Sequence, residues 1–252
     1  MRPVKKVALF VGGVQKAGTR SLGAFFRNHP EVRVQKNKEG HFFDRPENFV
    51  SEQPYQESLA RYHAGFEGGA SRQHLWCDIT PDYIFRQGAI ERIFRYNPDA
   101  KWIILLRHPI DRAYSAWNME VNRGAEWLPF DRAIERELSG KTSPDRAHDR
   151  FCYVGRSRYQ EQLNRLWRYF PEHQCCILPA ENVWKNPGKH LEKVCDFAGI
   201  PPGEFTNYRQ LHQGKYEQPM ASQTRDWLTR LLHWEIFSLP QRVGWQENPW
   251  LQ

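Results

Sequence analysis

The chain has 252 residues, of which 40% are hydrophobic and 14% aromatic, and its formal net charge is +7. This apolar content excludes disorder as the overall state, because disordered chains lack the hydrophobic residues that build a core. No membrane span is expected, since uninterrupted apolar runs such as Trp102–Leu106 are far shorter than the roughly 18 residues that a span needs. The basic charge favours anionic partners.

Cysteine usage predicts a reducing, cytoplasmic compartment. The five cysteines are Cys77, Cys152, Cys175, Cys176 and Cys195, an odd number without a Cys-x-x-Cys pair. This pattern supports neither a metal site nor a full disulfide framework, and buried free thiols fit it better. The basic and apolar residues at the start of the chain are not followed by an Ala-x-Ala cleavage site, so a buried strand explains them better than a signal peptide.

The first predicted strand, Val7–Val11, runs into a glycine loop. Gly13 and Gly18 have the spacing of the nucleoside-triphosphatase loop G-x-x-x-x-G-K-[ST], but Thr19 stands where that loop has its Lys. A cation lies earlier instead, at Lys16. A strand, a glycine turn and a helix together direct backbone N–H groups and the positive helix end at one point, so the pattern predicts a phosphate site. From the pattern alone, an ordinary strand-to-helix turn is the alternative.

The second strand is predicted at Val32–Val34, and a possible acid–base pair follows it. In an extended chain Glu39 and His41 point to the same side. A carboxylate beside an imidazole can accept a proton from a hydroxyl or an amine. A single Glu-x-His is a weak signal, and as an isolated pattern it is more often a solvated surface pair.

An arginine follows the predicted strand Trp102–Leu106. Arg107 emerges where open α/β sheets bind ligands, and Pro109 suits the first turn of a helix that is predicted from Asp111 to about Val121. Ser115 lies eight residues after Arg107, about two helical turns along, and the two side chains could share one anion. An ion pair of Arg107 with Asp111 is the alternative.

The remaining elements complete an α/β pattern. The other strands are predicted at Leu75–Asp78 and Cys175–Leu178, and apolar residues recur at helical spacing over 159–170, 191–198 and 227–235. Continuous apolar strands that alternate with helices predict a P-loop-like α/β fold, in which helices cover both faces of a central parallel sheet. We expect one domain over residues 1–252. The polar stretch 123–150 is expected to leave the sheet, where it could border a binding cleft.

Taken together, these motifs resemble the sulfotransferases that use 3′-phosphoadenosine 5′-phosphosulfate (PAPS), and the glycosaminoglycan-type and bacterial branches most of all. The order and spacing of the motifs carry the resemblance, because each motif alone is weak. The matching segments are Val11–Leu22, Lys38–Asp44, Thr80–Tyr83, Leu106–Ser115, Gly155–Tyr159, Leu178–Leu191, Gly214–Tyr216 with Pro219, and Val243–Trp245.

The resemblance implies sulfuryl transfer by in-line displacement, without a metal. It implies that Glu39 accepts the proton of the acceptor, that His41 orients or polarises the acceptor, and that Lys16 stabilises charge on the departing phosphate. It further implies that the 5′-phosphate is bound by the glycine loop, and the 3′-phosphate by Arg107 and Ser115. The implied donor contacts are Lys16, Ala17, Gly18, Thr19, Arg20, Ser21, Arg107, Ser115, Lys215 and Tyr216.

Two departures from the glycosaminoglycan branch bear on the acceptor. Ile79 stands where that branch commonly has a Lys before the Thr-Pro pair, and the stretch 205–214 lacks the cysteine pair of many secreted relatives. A heparan-like acceptor is therefore doubtful. We expect a small-molecule, natural-product or glycan acceptor with a hydroxyl or an amine.

Two other functions are compatible with parts of the sequence. A P-loop nucleotide kinase would need a Lys where Thr19 stands and a metal-binding carboxylate, for which Asp78 is the candidate. A structural partner of loop donors is the commoner role for an aspartate such as Asp78. A non-enzymatic module that binds anions or nucleic acid would need long basic clusters with interleaved aromatic residues. The basic runs at 36–38 and 156–158 are short, so no nucleic acid partner is expected.

Overall fold

The computed structural model describes residues 5–37, 39–68, 74–140, 150–203 and 219–251. These residues form two compact units. Unit 1 lies within residues 1–105 and 162–211, and unit 2 lies within residues 106–161 and 212–252. A single domain over the whole chain stays a prediction.

Five parallel strands form the sheet, in the spatial order β2-β3-β1-β4-β5, with helices flanking it. The strands are β1 (Leu9–Gly13), β2 (Val32–Val34), β3 (Leu75–Ile79), β4 (Lys101–Leu106) and β5 (Cys175–Pro179). The order places β1 between β3 and β4, although the chain connects β1 to β2. Loops that follow such a switch in strand order are where open α/β sheets bind ligands. The α/β prediction is confirmed.

The first strand lies two residues later than the apolar run predicts. It begins at Leu9 and continues through Gly12 and Gly13, which the sequence analysis assigned to the loop. Hydrophobicity misses them because they have no side chain, yet close packing requires glycine at both positions. A Cβ atom on Gly12 would lie 2.3 Å from the ring of Trp102, and one on Gly13 would lie 2.6 Å from Cγ2 of Ile84.

The structure contains more helices than the sequence analysis predicts, and the helices predicted from residues 191 and 227 begin four and five residues earlier, at Pro187 and Ser222. The helices are α1 (Thr19–Asn28), α2 (Glu52–Ala64), α3 (Ala89–Tyr96), α4 (Pro109–Asn122), α5 (Phe130–Leu138), α6 (Tyr159–Trp167), α7 (Ala180–Lys185), α8 (Pro187–Ala198), α9 (Ser222–Leu231) and α10 (Leu239–Arg242). Single 3₁₀ turns lie at Pro46–Phe49, Gly155–Ser157 and Glu172–Gln174. The helix predicted over 227–235 is divided, because α9 ends at Leu231 and a π-helical turn follows at Trp234–Ser238.

Aromatic side chains fill much of the core of unit 1. Phe10 of β1 stacks on Trp102 of β4 with ring centroids 5.6 Å apart, and it meets the edge of Phe43 at 5.8 Å. Phe42 stacks on Tyr62 of α2 at 4.7 Å. Aromatic pairs of this kind add stability beyond the area that they bury. The segment after β2 is therefore packed tightly against the sheet, and this segment carries Glu39 and His41.

Unit 2 has a separate apolar core. It is formed by buried residues of α4, α5, the turn near residue 153 and α9, among them Ile110, Phe130, Tyr153 and Leu228. The carboxylate of Glu137, in α5, accepts hydrogen bonds from three successive backbone N–H groups, those of residues 153 to 155, at 2.7–2.8 Å. Within the polar stretch 123–150, the described residues thus contain a helix that fixes this turn, and residues 141–149 lie outside them.

Candidate active site

The glycine loop of unit 1 turns through two left-handed residues. Lys16 and Gly18 both have left-handed backbone conformations, with φ of 75° and 87°. For Lys16 this conformation is strained, because it brings Cβ close to the backbone. At Gly18, a Cβ atom would also lie 2.6 Å from Nε1 of Trp184 in α7. The loop therefore follows a path that requires a glycine at position 18.

Two buried hydroxyls and a helix end lie directly after this turn. Thr19 and Ser21 are 4% and 1% exposed, whereas Arg20 between them is exposed. Helix α1 begins at Thr19, and the N–H groups of Ser21 and Leu22 donate to the carbonyl of Gly18 at 3.0 and 3.3 Å. The positive end of a helix attracts phosphate groups. The loop and the start of α1 thus have the chemistry of a phosphate site.

A histidine between two carboxylates follows β2. Nδ1 of His41 lies 2.6 Å from Oδ2 of Asp44, and Nε2 lies 3.0 Å from Oε2 of Glu39. The structure brings Glu39 and His41 together as the sequence predicts, but not on a strand. Strand β2 ends at Val34, and His41 has a φ of 47°, so the pair meets across a left-handed turn.

The two carboxylates set the charge of this imidazole. Hydrogen bonds to Asp44 and then to Glu39 raise the pKa of His41 from 6.5 to about 10, against the opposing effect of burial. At neutral pH the ring therefore carries a proton on both nitrogens and donates to both neighbours. Asp44 was missed by the sequence analysis, although it lies within the matched segment. Its spacing of three residues from His41 becomes informative only once the backbone turns between them.

Asp78 near the end of β3 is fully buried and satisfied by hydroxyls. Its Oδ2 accepts from Tyr62 at 2.7 Å and from Tyr83 at 2.9 Å, and its Oδ1 accepts from Thr80 at 2.6 Å. Both carboxylate oxygens are thus engaged within the protein. This is the structural role that the sequence left open for Asp78, and it removes the metal-binding carboxylate that a P-loop kinase would need.

Unit 2 contains the arginine and serine that the sequence singles out. Arg107 directly follows β4 and is half-buried, and its carbonyl accepts a hydrogen bond from the hydroxyl of Tyr159 at 2.8 Å. Ser115 lies in α4 and is 5% exposed. The start of α4 is fixed by Ser157, whose hydroxyl donates to the carbonyl of Pro109 at 2.8 Å.

A buried guanidinium, which the sequence analysis did not single out, anchors the same helix. Arg112 is fully buried, and its Nε donates to Oγ of Ser157 at 2.6 Å while its Nη2 donates to the carbonyl of Tyr153. Burial lowers the pKa of Arg112 to about 10. The segment Gly155–Tyr159 therefore holds the backbone on which Arg107 and Ser115 are carried. An Arg five residues after another Arg is too common a pattern to predict this from sequence.

The remaining predicted features are reported for the described residues only. Lys215 and Tyr216 lie outside the described residues. The five cysteines, all of which are described, are free thiols. Over residues 5–37, 39–68, 74–140, 150–203 and 219–251, no three His, Cys, Asp or Glu side chains are grouped as metal ligands would be. In the same ranges, none of the helices has the length and apolarity to cross a bilayer.

When the sequence is compared with known proteins, the family profile and the curated relatives agree. The profile described as "Sulfotransferase family" matches residues 34–204 of this chain. Heparan sulfate glucosamine 3-O-sulfotransferase 6 of Mus musculus is 33% identical over 193 residues, which cover 77% of this chain and 52% of that protein. The chain thus spans about half the length of the curated relatives that it matches.

The fold resembles that of solved structures over a longer part of the chain. A sulfotransferase from Alicyclobacillus acidocaldarius superposes with a TM-score of 0.79 at 24% identity, over 99% of this chain and 100% of that one. The sulfotransferase domain of the curacin biosynthetic pathway superposes with a TM-score of 0.51 at 14% identity, over 89% of this chain and 96% of that one. At these identities the likeness concerns the fold.

Proposed function

This chain belongs to the sulfotransferase family, and from that membership we propose that it transfers a sulfuryl group from PAPS to a hydroxyl or an amine of an acceptor. The observation that carries this proposal is the His41 imidazole between Glu39 and Asp44, in a chain that also has a phosphate-type loop after β1. When bound, PAPS supplies the sulfuryl group that is transferred. That group is attached to a 5′-phosphate, which is the leaving group.

We propose that the loop after β1 binds the 5′-phosphosulfate. Thr19 and Ser21 would donate hydroxyl hydrogen bonds, and the backbone of Gly18 would contribute its amide at the positive end of α1. The N–H of Ala17 donates to the carbonyl of Val14 at 3.2 Å, so Ala17 stays a proposed contact by resemblance. Lys16 would place its ammonium at the bridging oxygen, where charge grows as the phosphate departs. Arg20 is exposed, so any contact with the donor would be made from the edge of the loop.

We assign the proton acceptor to Glu39. His41 already holds its extra proton at neutral pH, because its pKa is raised to about 10, so it cannot accept another. Glu39 is an acceptor of that imidazolium, and its side chain is 31% exposed, which leaves the carboxylate accessible to a substrate. His41 then orients Glu39, and Asp44 holds His41 from the opposite nitrogen. No step in this scheme uses a metal, and metal independence stays a prediction.

We propose that Arg107 and Ser115 bind the 3′-phosphate. An arginine presents a planar fork of donors that suits a phosphate group, and Ser115 adds a hydroxyl from the second turn of α4. The 3′-phosphate is the group that distinguishes this donor from ATP. Lys215 and Tyr216 remain proposed donor contacts by resemblance alone.

The acceptor class is proposed more broadly than the relatives' names suggest. A heparan sulfate acceptor is named for the curated relatives, but this chain spans about half of their length. Ile79 is 5% exposed at the position where the glycosaminoglycan branch commonly has a Lys, so it contributes no charge for a polyanion. We therefore propose a small-molecule, natural-product or glycan acceptor. The five free thiols are compatible with a cytoplasmic setting.

Calorimetric titration with adenosine 3′,5′-bisphosphate, the product of the donor, tests the proposal without knowledge of the acceptor. ATP with Mg²⁺ is the matched comparison, since a kinase would prefer it. We expect tight binding of the bisphosphate in the presence of a chelator, and weak binding of ATP. A folded protein that does not bind the bisphosphate, or that prefers Mg·ATP, would contradict the proposal.

A further inference from the structure

The buried carboxylate of Asp78 is linked by two hydroxyls to the backbone on either side of His41. The Thr80 hydroxyl donates to Oδ1 of Asp78 at 2.6 Å and accepts the backbone N–H of Gly40 at 2.9 Å. The Tyr83 hydroxyl donates to Oδ2 of Asp78 at 2.9 Å and accepts the backbone N–H of Phe42 at 3.2 Å.

Each of the two hydroxyls uses both of its hydrogen-bonding functions. It accepts a backbone N–H, which can only donate, and it directs its own proton to Asp78. Asp78 therefore accepts from both sides as a carboxylate. Burial raises the pKa of Asp78, and the hydrogen bonds from Thr80, Tyr62 and Tyr83 oppose that effect. If Asp78 were protonated, one of its oxygens would carry a proton directed at the hydroxyl donors, and some of the hydrogen bonds that Asp78 accepts would be lost.

The segment that is held this way has a strained backbone. His41 has a φ of 47°, a conformation that costs a residue other than glycine free energy and persists only where its surroundings impose it. Gly40 lies so close to the carboxylate that a Cβ atom there would be 2.7 Å from Oδ2 of Asp78. The carbonyl of Phe42 is held as well, by Nδ2 of Asn48 at 2.9 Å. Backbone groups before and after His41 are thus fixed.

We propose that Asp78, acting through the hydroxyls of Thr80 and Tyr83, is a positioning residue that holds His41 between Glu39 and Asp44. The expected effect on turnover rests on the proposed function, in which Glu39 is the proton acceptor. The effect of Asp78 on the position of His41 does not depend on that function. When one of these two hydroxyls is removed, the backbone at His41 relaxes toward a negative φ and the imidazole moves away from its two carboxylates.

Tyr62 provides a matched control within the same arrangement. Its hydroxyl donates to the same oxygen of Asp78, at 2.7 Å, and its ring is fully buried like that of Tyr83. The hydroxyl of Tyr83 also accepts the backbone N–H of Phe42. Among the residues that the structure describes, the hydroxyl of Tyr62 has no such hydrogen bond to residues 40–42. Tyr62→Phe and Tyr83→Phe therefore remove the same chemical group from the same carboxylate, but only Tyr83→Phe releases the segment.

The experiment measures the His41 titration by NMR in the full-length chain, with labelled histidine and with His41→Gln to assign the signal. The variants are Tyr83→Phe against Tyr62→Phe, and Thr80→Val against Thr80→Ser, which keeps the hydroxyl. Thermal unfolding shows that each variant is folded. Turnover is followed as release of adenosine 3′,5′-bisphosphate with a panel of hydroxyl and amine acceptors, and calorimetry gives the affinity for that product.

We expect Tyr83→Phe and Thr80→Val to bring the pKa of His41 down from about 10 toward 6.5, while Tyr62→Phe and Thr80→Ser leave it high. In the same two variants kcat should fall about 10- to 100-fold, with product affinity changed less than about two-fold. Equal behaviour of Tyr83→Phe and Tyr62→Phe in the His41 titration would overturn the proposal. A wild-type protein that does not turn over but shows the expected titration differences would contradict the proposed function and leave the positioning role of Asp78 supported.

Discussion

Oδ2 of Asp44 lies 2.6 Å from Nδ1 of His41, and this contact is the largest cause of the raised pKa of that imidazole. The contact makes His41 a charged donor at neutral pH. In the proposed function this contact separates the roles of the segment: Asp44 would hold the ring, the ring would orient Glu39, and Glu39 would accept the proton.

The first prediction concerns the pH dependence of stability. The folded pKa of His41 is about 10 and its ordinary value is 6.5, so its stabilising contribution is fully present below about pH 6.5 and is lost as the pH rises toward 10. Urea unfolding of the wild type and of His41→Gln, measured between pH 6 and 10, should give curves that approach each other as the pH rises. A difference that grows with pH would contradict this assignment.

The second prediction separates Asp44 from other carboxylates. Asp44→Asn removes the stronger partner of His41, so the pKa of the imidazole should fall toward 6.5 and turnover should fall with it. Affinity for adenosine 3′,5′-bisphosphate should stay unchanged, since no donor contact is assigned to Asp44. Asp99→Asn, at an exposed position, is the control and should alter none of the three. An Asp44→Asn variant with wild-type turnover would show that the ring needs no such support.

The third prediction tests the path of the glycine loop. Gly18→Ala should destabilise the protein by at least about 1–2 kcal/mol, because φ is 87° and the new Cβ would meet the indole of Trp184. It should also weaken bisphosphate binding. Gly188→Ala is the control, since a Cβ there meets nothing within 4 Å and α8 gains a better helix former. If both variants bind the bisphosphate like the wild type, the loop is not the 5′-phosphate site.

The fourth prediction concerns the anchor of α4. Ser157→Ala leaves the Nε–H group of the buried Arg112 without its acceptor, so we expect a loss of about 2 kcal/mol, or roughly 4–8 °C in Tm for a chain of this length. Ser139→Ala removes an exposed hydroxyl hydrogen bond and should shift Tm by less than about 2 °C. Equal shifts in the two variants would argue against the anchoring role.

The fifth prediction assigns the 3′-phosphate. Arg107→Ala should weaken binding of adenosine 3′,5′-bisphosphate far more than binding of adenosine 5′-phosphate, because only the first ligand carries the group that Arg107 is proposed to contact. Calorimetry with both nucleotides measures the difference. Equal losses of affinity for the two ligands would show that Arg107 does not contact the 3′-phosphate.

The sheet was predictable because its strands are continuous apolar runs, and four of the five begin and end within one residue of the predicted ends. The fifth, β1, was misplaced by two residues. Gly12 and Gly13 carry no hydrophobic signal, and their place in the strand depends on the Trp102 and Ile84 side chains that lie against them. Contacts of this kind join residues that are far apart in sequence.

The candidate site was predictable in its residue types but not in its geometry. Glu39 and His41 were singled out as a pair. The left-handed backbone at His41 and the hydrogen bond between His41 and Asp44 depend on how this segment packs against β3. The role of Asp78 shows the same limit. An isolated aspartate at a strand end is compatible with a metal ligand and with a buried acceptor, and only the positions of Tyr62, Thr80 and Tyr83 decide between them.

The most direct test of the whole account is the turnover of Glu39→Gln beside its affinity for adenosine 3′,5′-bisphosphate. With PAPS and the acceptor panel, the wild type should release the bisphosphate in an acceptor-dependent manner. Glu39→Gln should reduce that release by about 100-fold or more and bind the bisphosphate as the wild type does. Release within a few-fold of the wild type would contradict the account, because the proton would then be accepted by another group.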